Sequence, residues 1–134
     1  MGYKLIALDI DGTLLNSSNQ ITENVKEAIR KSKEKGVKVV LCTGRPLKGV
    51  ENFLDELNLK EEGDYVSTFN GALVQDAHTG KPISHLTLDY EDLCDLYDLS
   101  VEVGSRSHFY DTRTVYTFNR DVSDYTILEA YLTG

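Results

Sequence analysis

Residues 4–10 (Lys-Leu-Ile-Ala-Leu-Asp-Ile) form a near-continuous apolar run without strict alternation. Such a run predicts a strand buried on both faces, the habit of parallel sheets. A polar loop from Asn16 to Gln20 follows, and Thr22 is then placed to cap a helix with Glu23 in its first turn. Val25, Ala28 and Ile29 share one face of that helix, whereas Lys26, Arg30, Lys31 and Lys33 decorate the others. Gly36 is the expected stop. Val37 to Leu41 predicts a second buried strand. Pro46 suits a first helical position, and Val50, Phe53, Leu54 and Leu57 continue at helical spacing. Residues 64–69 (Asp-Tyr-Val-Ser-Thr-Phe) predict a third strand.

Strand, helix, strand, helix, strand implies right-handed crossovers and a parallel sheet with helices packed on it, an α/β Rossmann-like arrangement. The pattern changes after Gly71. Ala72 to Gln75 and Ile83 to Leu88 predict strands around a turn at Asp76 to Pro82, with Thr79-Gly80 its tightest point. Residues 89–103 predict an amphipathic helix with Leu93, Leu96, Tyr97 and Val101 on one side. Phe109-Tyr110 and Val115 to Phe118 predict another strand pair, and Val122 to Leu132 a last helix. The expected domains are residues 1–82, a parallel core, and residues 83–134, an antiparallel-plus-helix module.

Composition narrows the function. The 134 residues carry 14 Lys+Arg against 22 Asp+Glu, a formal charge of −8, which argues against a nucleic-acid or anionic-membrane surface. The longest apolar stretch, Leu5 to Leu8, is far short of the ~20 residues that span a bilayer. No basic-then-apolar leader opens the chain, because Asp9 and Asp11 interrupt it. Cys42 and Cys94 are too few and too far apart for a disulfide framework or a zinc site. The expectation is a soluble cytoplasmic domain.

Two constellations carry chemistry. Asp9-Ile10-Asp11-Gly12-Thr13-Leu14 stands at the carboxyl end of the first strand, where open α/β sheets bind ligands. Asp9 and Asp11 start on one face, with Cα atoms roughly 7 Å apart if extended. Close carboxylates repel unless a cation or a shared proton compensates, so the pair suits a hard divalent metal such as Mg²⁺. An isolated Asp-x-Asp reads better as a solvated acidic turn; the apolar strand before it and Gly-Thr after it favour function. Thr43-Gly44-Arg45 ends the second strand with a hydroxyl, an unhindered backbone N–H and a guanidinium, the parts of a phosphate site. Thr43 would serve equally as a helix cap. Asn70-Gly71 ends the third strand at the same edge and needs no role beyond a turn. His78, His85 and His108 lack metal-ligand spacing and are expected at the surface. Most of Tyr90, Tyr97, Phe109, Tyr110, Tyr116, Phe118, Tyr125 and Tyr131 are expected to pack. The cluster Lys26 to Lys35 reads as solvent-side charge.

At these residues the sequence resembles a known family. Asp9-Ile10-Asp11-Gly12-Thr13-Leu14-Leu15 resembles the first motif of the haloacid dehalogenase superfamily of phosphatases, and Val39 to Pro46 its second. Thr43-Gly44-Arg45-Pro46, Gly63-Asp64-Tyr65 and Phe69-Asn70-Gly71-Ala72 are similar to the Cof-type subgroup, and within it to YidA-type sugar phosphatases. The resemblance implies that Asp9 attacks phosphorus to give an aspartyl-phosphate, and that Asp11 is the general acid/base. It implies that Mg²⁺ binds the Asp9 carboxylate and the Asp11 backbone carbonyl. It places phosphate and substrate contacts at Ile10, Thr43, Gly44, Arg45 and Asn70, and it makes the second module the first part of an α+β cap.

The sequence also departs from that family, whose members run to roughly twice this length. They place a Lys and a Gly-Asp-x-x-Asn-Asp motif in their second half; here Lys81 is the last lysine and no such motif follows it. The expectation is therefore an N-terminal half, from a cloned segment, a split gene or a truncated gene, with little or no turnover alone. The first strand, central in the family, would become an exposed edge that a homodimer or a separate C-terminal chain could cover. Rival readings are a non-catalytic remnant that binds a phosphorylated metabolite or a protein, and a phospho-accepting receiver domain. The receiver reading is disfavoured because no Asp ends the third strand at Phe69-Asn70.

Overall fold

The computed structural model describes residues 2–133, so Met1 and Gly134, the last residue of the expected cap segment, lie outside it. The chain divides after His85 into two compact units. The first holds a five-stranded sheet in the order β1-β2-β3-β4-β5. Strands β1 (Leu5–Asp9), β2 (Lys38–Cys42) and β3 (Tyr65–Thr68) run parallel, and β4 (Leu73–Asp76) and β5 (Pro82–His85) continue antiparallel. Helices α1 (Glu23–Glu34) and α2 (Glu51–Glu56) fill the two crossovers.

Both helices pack into one core. Ile29 of α1 and Leu54 of α2 join Val39, Leu41 and Val66 of the sheet, and the turn residues Ile10, Leu14, Leu15 and Ile21 close it. Successive right-handed crossovers put both helices on the same side. The first strand is consequently not buried on both faces as its apolar run predicts. Leu8, beside Leu41 in the ladder, packs on the core, whereas Leu5 on the opposite face is 55% exposed. Among the described residues no strand pairs with the outer side of β1, so an apolar strand stands at the sheet edge.

Several local expectations shift. Thr22 precedes α1 but caps it through its carbonyl, which accepts from Val25 N at 3.0 Å, and not through its hydroxyl. Gly36 ends that turn at φ +76°, a conformation open to glycine. Pro46 does not begin a regular helix: with ψ 166° it precedes a single tight turn, Leu47–Gly49, and α2 starts only at Glu51. Gly49, a poor helix former, sits where a continuous helix would need propensity.

The lysine-rich face of α1 is also more than solvated charge. Lys26 pairs with Glu56 of α2 at 2.7 Å, and Lys33 reaches Glu61 at 3.1 Å and the buried Asp64 at 3.3 Å. These lysines brace α1 against the segment that leads into β3. The β4–β5 turn is built on Asp76, whose carboxylate accepts from the backbone N–H groups of His78 and Thr79 and from the Thr79 hydroxyl. Those bonds hold the Asp76 carboxyl below its ordinary range.

The second unit contains α3 (Tyr90–Glu102), a hairpin of β6 (His108–Tyr110) and β7 (Val115–Thr117), and α4 (Asp124–Thr133). Asp89 caps α3 by accepting from the N–H groups of Glu91 and Asp92, while Asp92 accepts in return from Asp89 N. Such a capping box satisfies otherwise orphaned donors. Aromatic rings tie hairpin to helix: Phe118 lies 4.5 Å from Tyr97 and 5.2 Å from Phe109, which stacks on Tyr116 at 5.4 Å. Tyr90, Tyr125 and Tyr131 do not pack but stand exposed, and of the expected α3 face Val101 and Leu96 remain largely uncovered.

Leu54 is fully buried between α2 and the sheet. Leu54→Ala is expected to lower unfolding free energy by about 2–5 kcal/mol. Lys31→Ala, on an exposed side chain, should change it by no more than about 0.5 kcal/mol. Urea denaturation of the two variants checks the contrast.

Candidate active site

The parallel register sets Asp9 beside Cys42 and Cys42 beside Ser67, so β1, β2 and β3 end together. After Asp9 the chain turns sharply through Gly12 at φ +79°, and Leu15 N closes the turn on Ile10 O at 3.1 Å. Ile10 and Leu14 plug into the core and hold the turn from below. The Ile10 side chain is thus wholly committed to packing, and only its backbone can face a ligand. Thr13 donates to the Asp9 carboxylate at 3.1 Å, which orients that carboxylate at the strand end.

The second loop is held equally firmly. Thr43 N donates to Ser67 O at 3.0 Å, and the buried Thr43 hydroxyl accepts from Arg45 N at 3.1 Å. The hydroxyl therefore shapes the loop and does not cap a helix, since neither the tight turn at Leu47–Gly49 nor α2 has a side-chain cap, and it keeps its own O–H to donate. Asn70 N donates to Thr43 O at 3.0 Å, and Phe69 N to Arg45 O at 3.3 Å, stitching the third loop onto the second.

Phe69, Asn70 and Gly71 are three successive residues at positive φ (51°, 55° and 94°). For a bulky residue such as Phe69 this conformation costs of order 1–3 kcal/mol. Its effect is to turn Asn70 back over the second loop. A Cβ on Gly44 would lie 3.0 Å from the Asn70 Oδ1 atom, so glycine there permits the close approach. Asn-Gly is consequently more than a hairpin turn, although its dipeptide alone shows nothing else.

Arg45 supplies a contact that the sequence does not announce. Its Nε and Nη2 donate to the two oxygens of Asp11 at 3.0 and 2.6 Å. Its Nη1 reaches Gly49 O at 3.4 Å, and its Cζ lies 5.8 Å from the centre of the Phe53 ring. The two motifs, separated by more than thirty residues, are joined by this bidentate pair. Cys42 is a second neighbour that spacing conceals. Burial pushes its thiol above the ordinary range, against a lowering hydrogen bond from Ser67, and the charge of Asp9 adds to the rise.

Among the described residues no group of three or more His, Cys, Asp or Glu side chains is placed to hold a metal. The site offers hard oxygens: the Asp9 carboxylate and the carbonyls of the turn around Asp11. Mg²⁺ characteristically uses one or two carboxylates with water and phosphate oxygens, so these donors fit that ion in kind.

Two outcomes follow from this geometry. Gly44→Ala should destabilise the chain by about 1–3 kcal/mol, and by distinctly less in an Asn70→Ala background where the obstructing amide is gone. Denaturant midpoints of the four proteins test that coupling. With Cys94 replaced by Ser, iodoacetamide should alkylate Cys42 slowly at neutral pH, because little thiolate is present. Asp9→Asn removes the charge that raises the thiol, so labelling measured against pH should shift to lower pH.

The chain matches the family described as haloacid dehalogenase-like hydrolase over residues 6–133. It is 56% identical over 131 residues to the Bacillus subtilis protein named "Putative phosphatase YxeH", covering 98% of this chain and 48% of that one. A haloacid dehalogenase-like hydrolase from Bacteroides thetaiotaomicron superposes with a TM-score of 0.80 at 30% identity, over 98% of this chain and 49% of that one. The HAD subclass IIB sugar phosphatase BT4131 superposes at 0.70 with 27% identity, over 85% and 43%. The chain thus spans about half the length of the curated relatives it matches. With the Asp9-Ile10-Asp11 and Thr43-Gly44-Arg45 loops at one sheet edge and this match along nearly its whole length, the chain belongs to the haloacid dehalogenase-like hydrolase family.

Proposed function

We propose that this chain carries the nucleophile side of a Mg²⁺-dependent phosphatase site that hydrolyses small phosphorylated metabolites, with sugar phosphates as the substrate class. The observation that carries the reading is the meeting of the Asp9-x-Asp11 turn and the Thr43-Gly44-Arg45 loop, bridged by the Arg45–Asp11 pair. Relatives named as phosphatases and a structural neighbour that is a sugar phosphatase support it.

In this reading an Asp9 carboxylate oxygen attacks phosphorus while the bond to the substrate oxygen breaks. Asp11 gives that oxygen its proton. Asp11 then takes a proton from water, whose oxygen attacks the aspartyl-phosphate, and the bond from phosphorus to Asp9 breaks to release inorganic phosphate. The Thr43 hydroxyl and the Gly44 backbone N–H hold the phosphoryl oxygens, and Asn70, turned over Gly44, faces the same group. The Asp9 carboxylate and the Asp11 carbonyl would hold Mg²⁺, which supplies charge neutralisation for the phosphoryl group when bound. A second copy or a separate C-terminal chain along β1 is the partner this reading favours, supported by the unpaired outer side of β1 among the described residues.

Neutralising charge in phosphoryl transfer is worth several powers of ten in rate, and among the described residues no group of three or more His, Cys, Asp or Glu side chains could hold a metal. Purified chain given sugar phosphates and Mg²⁺ is therefore expected to release phosphate slowly, and Asp9→Asn to abolish the release. Release that survives Asp9→Asn would overturn the assignment of the nucleophile. Binding without any release would favour a non-catalytic phosphometabolite-binding role.

A further inference from the structure

We propose that Arg45 is a phosphate-responsive clasp on Asp11. The guanidinium holds the Asp11 carboxylate, and an entering phosphate anion draws it away and frees Asp11 for the substrate oxygen. The inference rests on the phosphatase reading above and deepens it. As the pair stands, both Asp11 oxygens accept from Arg45, at 3.0 and 2.6 Å. A carboxylate engaged on both oxygens is poorly placed to exchange a proton with a third group, so the pair must part before Asp11 can serve the substrate oxygen.

Three features make it exchangeable. The Asp11 side chain is 55% exposed and that of Arg45 24%, so water and an incoming anion reach the carboxylate side of the pair and can compete for the guanidinium. The remaining Arg45 contacts, Nη1 to Gly49 O at 3.4 Å and the guanidinium over Phe53 at 5.8 Å, support the side chain without binding it tightly. Thr43 and Gly44, which would receive the phosphoryl oxygens, immediately precede Arg45. A phosphate dianion presents more charge and more acceptor oxygens to the guanidinium fork than one carboxylate does. Arg45 is therefore a positioning residue whose partner changes with occupancy.

The test is a titration of the purified chain with inorganic phosphate. Nitrogen-15 NMR follows the Arg45 Nε–H together with the backbone amides of Thr43 and Gly44. All three should shift along one saturation curve. Asp11→Asn should tighten phosphate binding about two- to five-fold, the range a part-exposed pair allows, and this gain should vanish in an Arg45→Gln background. Movement of the Thr43 and Gly44 amides with an unmoved Arg45 Nε–H would refute the clasp while leaving the phosphate site intact. An equal gain from Asp11→Asn with and without Arg45 would refute it too, by showing simple charge repulsion. A titration that moves none of the three signals would overturn the phosphate site itself, and the clasp with it.

Discussion

The parallel ladder between β1 and β2 is the constraint on which the site depends. Because Asp9 stands beside Cys42 in register, the loops that follow both strands must leave the sheet at the same edge and in the same direction. A parallel pair can only be joined by a crossover, and α1 is that crossover. Ile29 of that helix and the plug residues Ile10, Leu14 and Leu15 share one core with Leu41, so packing and site geometry are a single cooperative arrangement. A one-residue slip of β1 would turn Leu8 away from the core and misplace Asp9 together.

The loops add a second layer of order. Thr43 bonds forward to Arg45, sideways to β3, and through its carbonyl to Asn70, so three chain segments meet at one residue. The strained left-handed run at Phe69 to Gly71 is tolerated because these bonds and the absent side chain of Gly44 leave room for it. Strain of this kind commonly gathers at functional loops. The second unit is organised differently. Its stability rests on the Asp89 capping box and on stacked rings of the hairpin and α3, while much of the apolar surface of α3 and α4 faces outward.

Most of the element order was legible in the sequence, since runs such as Lys38–Cys42 and caps such as Gly36 act locally. So was the coincidence of the Asp9-Asp11 and Thr43-Gly44-Arg45 motifs at one edge, because strand order implies it. What the pattern of residues misjudged depends on distant partners. The Leu5–Asp9 run looks like a strand covered on both faces, but both crossovers cover the same face and β1 ends the sheet. Lys26 and Lys33 look like solvated charges, but α2 and the loop after it bring Glu56, Glu61 and Asp64 to them.

The sequence by itself determined the α/β alternation, the family motifs and the residue types at the site. Each of these follows from periodicity or from neighbours a few positions apart. Only the tertiary structure decided that Arg45 clasps Asp11, that Asn70 lies over Gly44 and that Cys42 feels the charge of Asp9. Those relations join residues far apart in the chain, and their distances are set by strand register and helix packing, which no local pattern encodes.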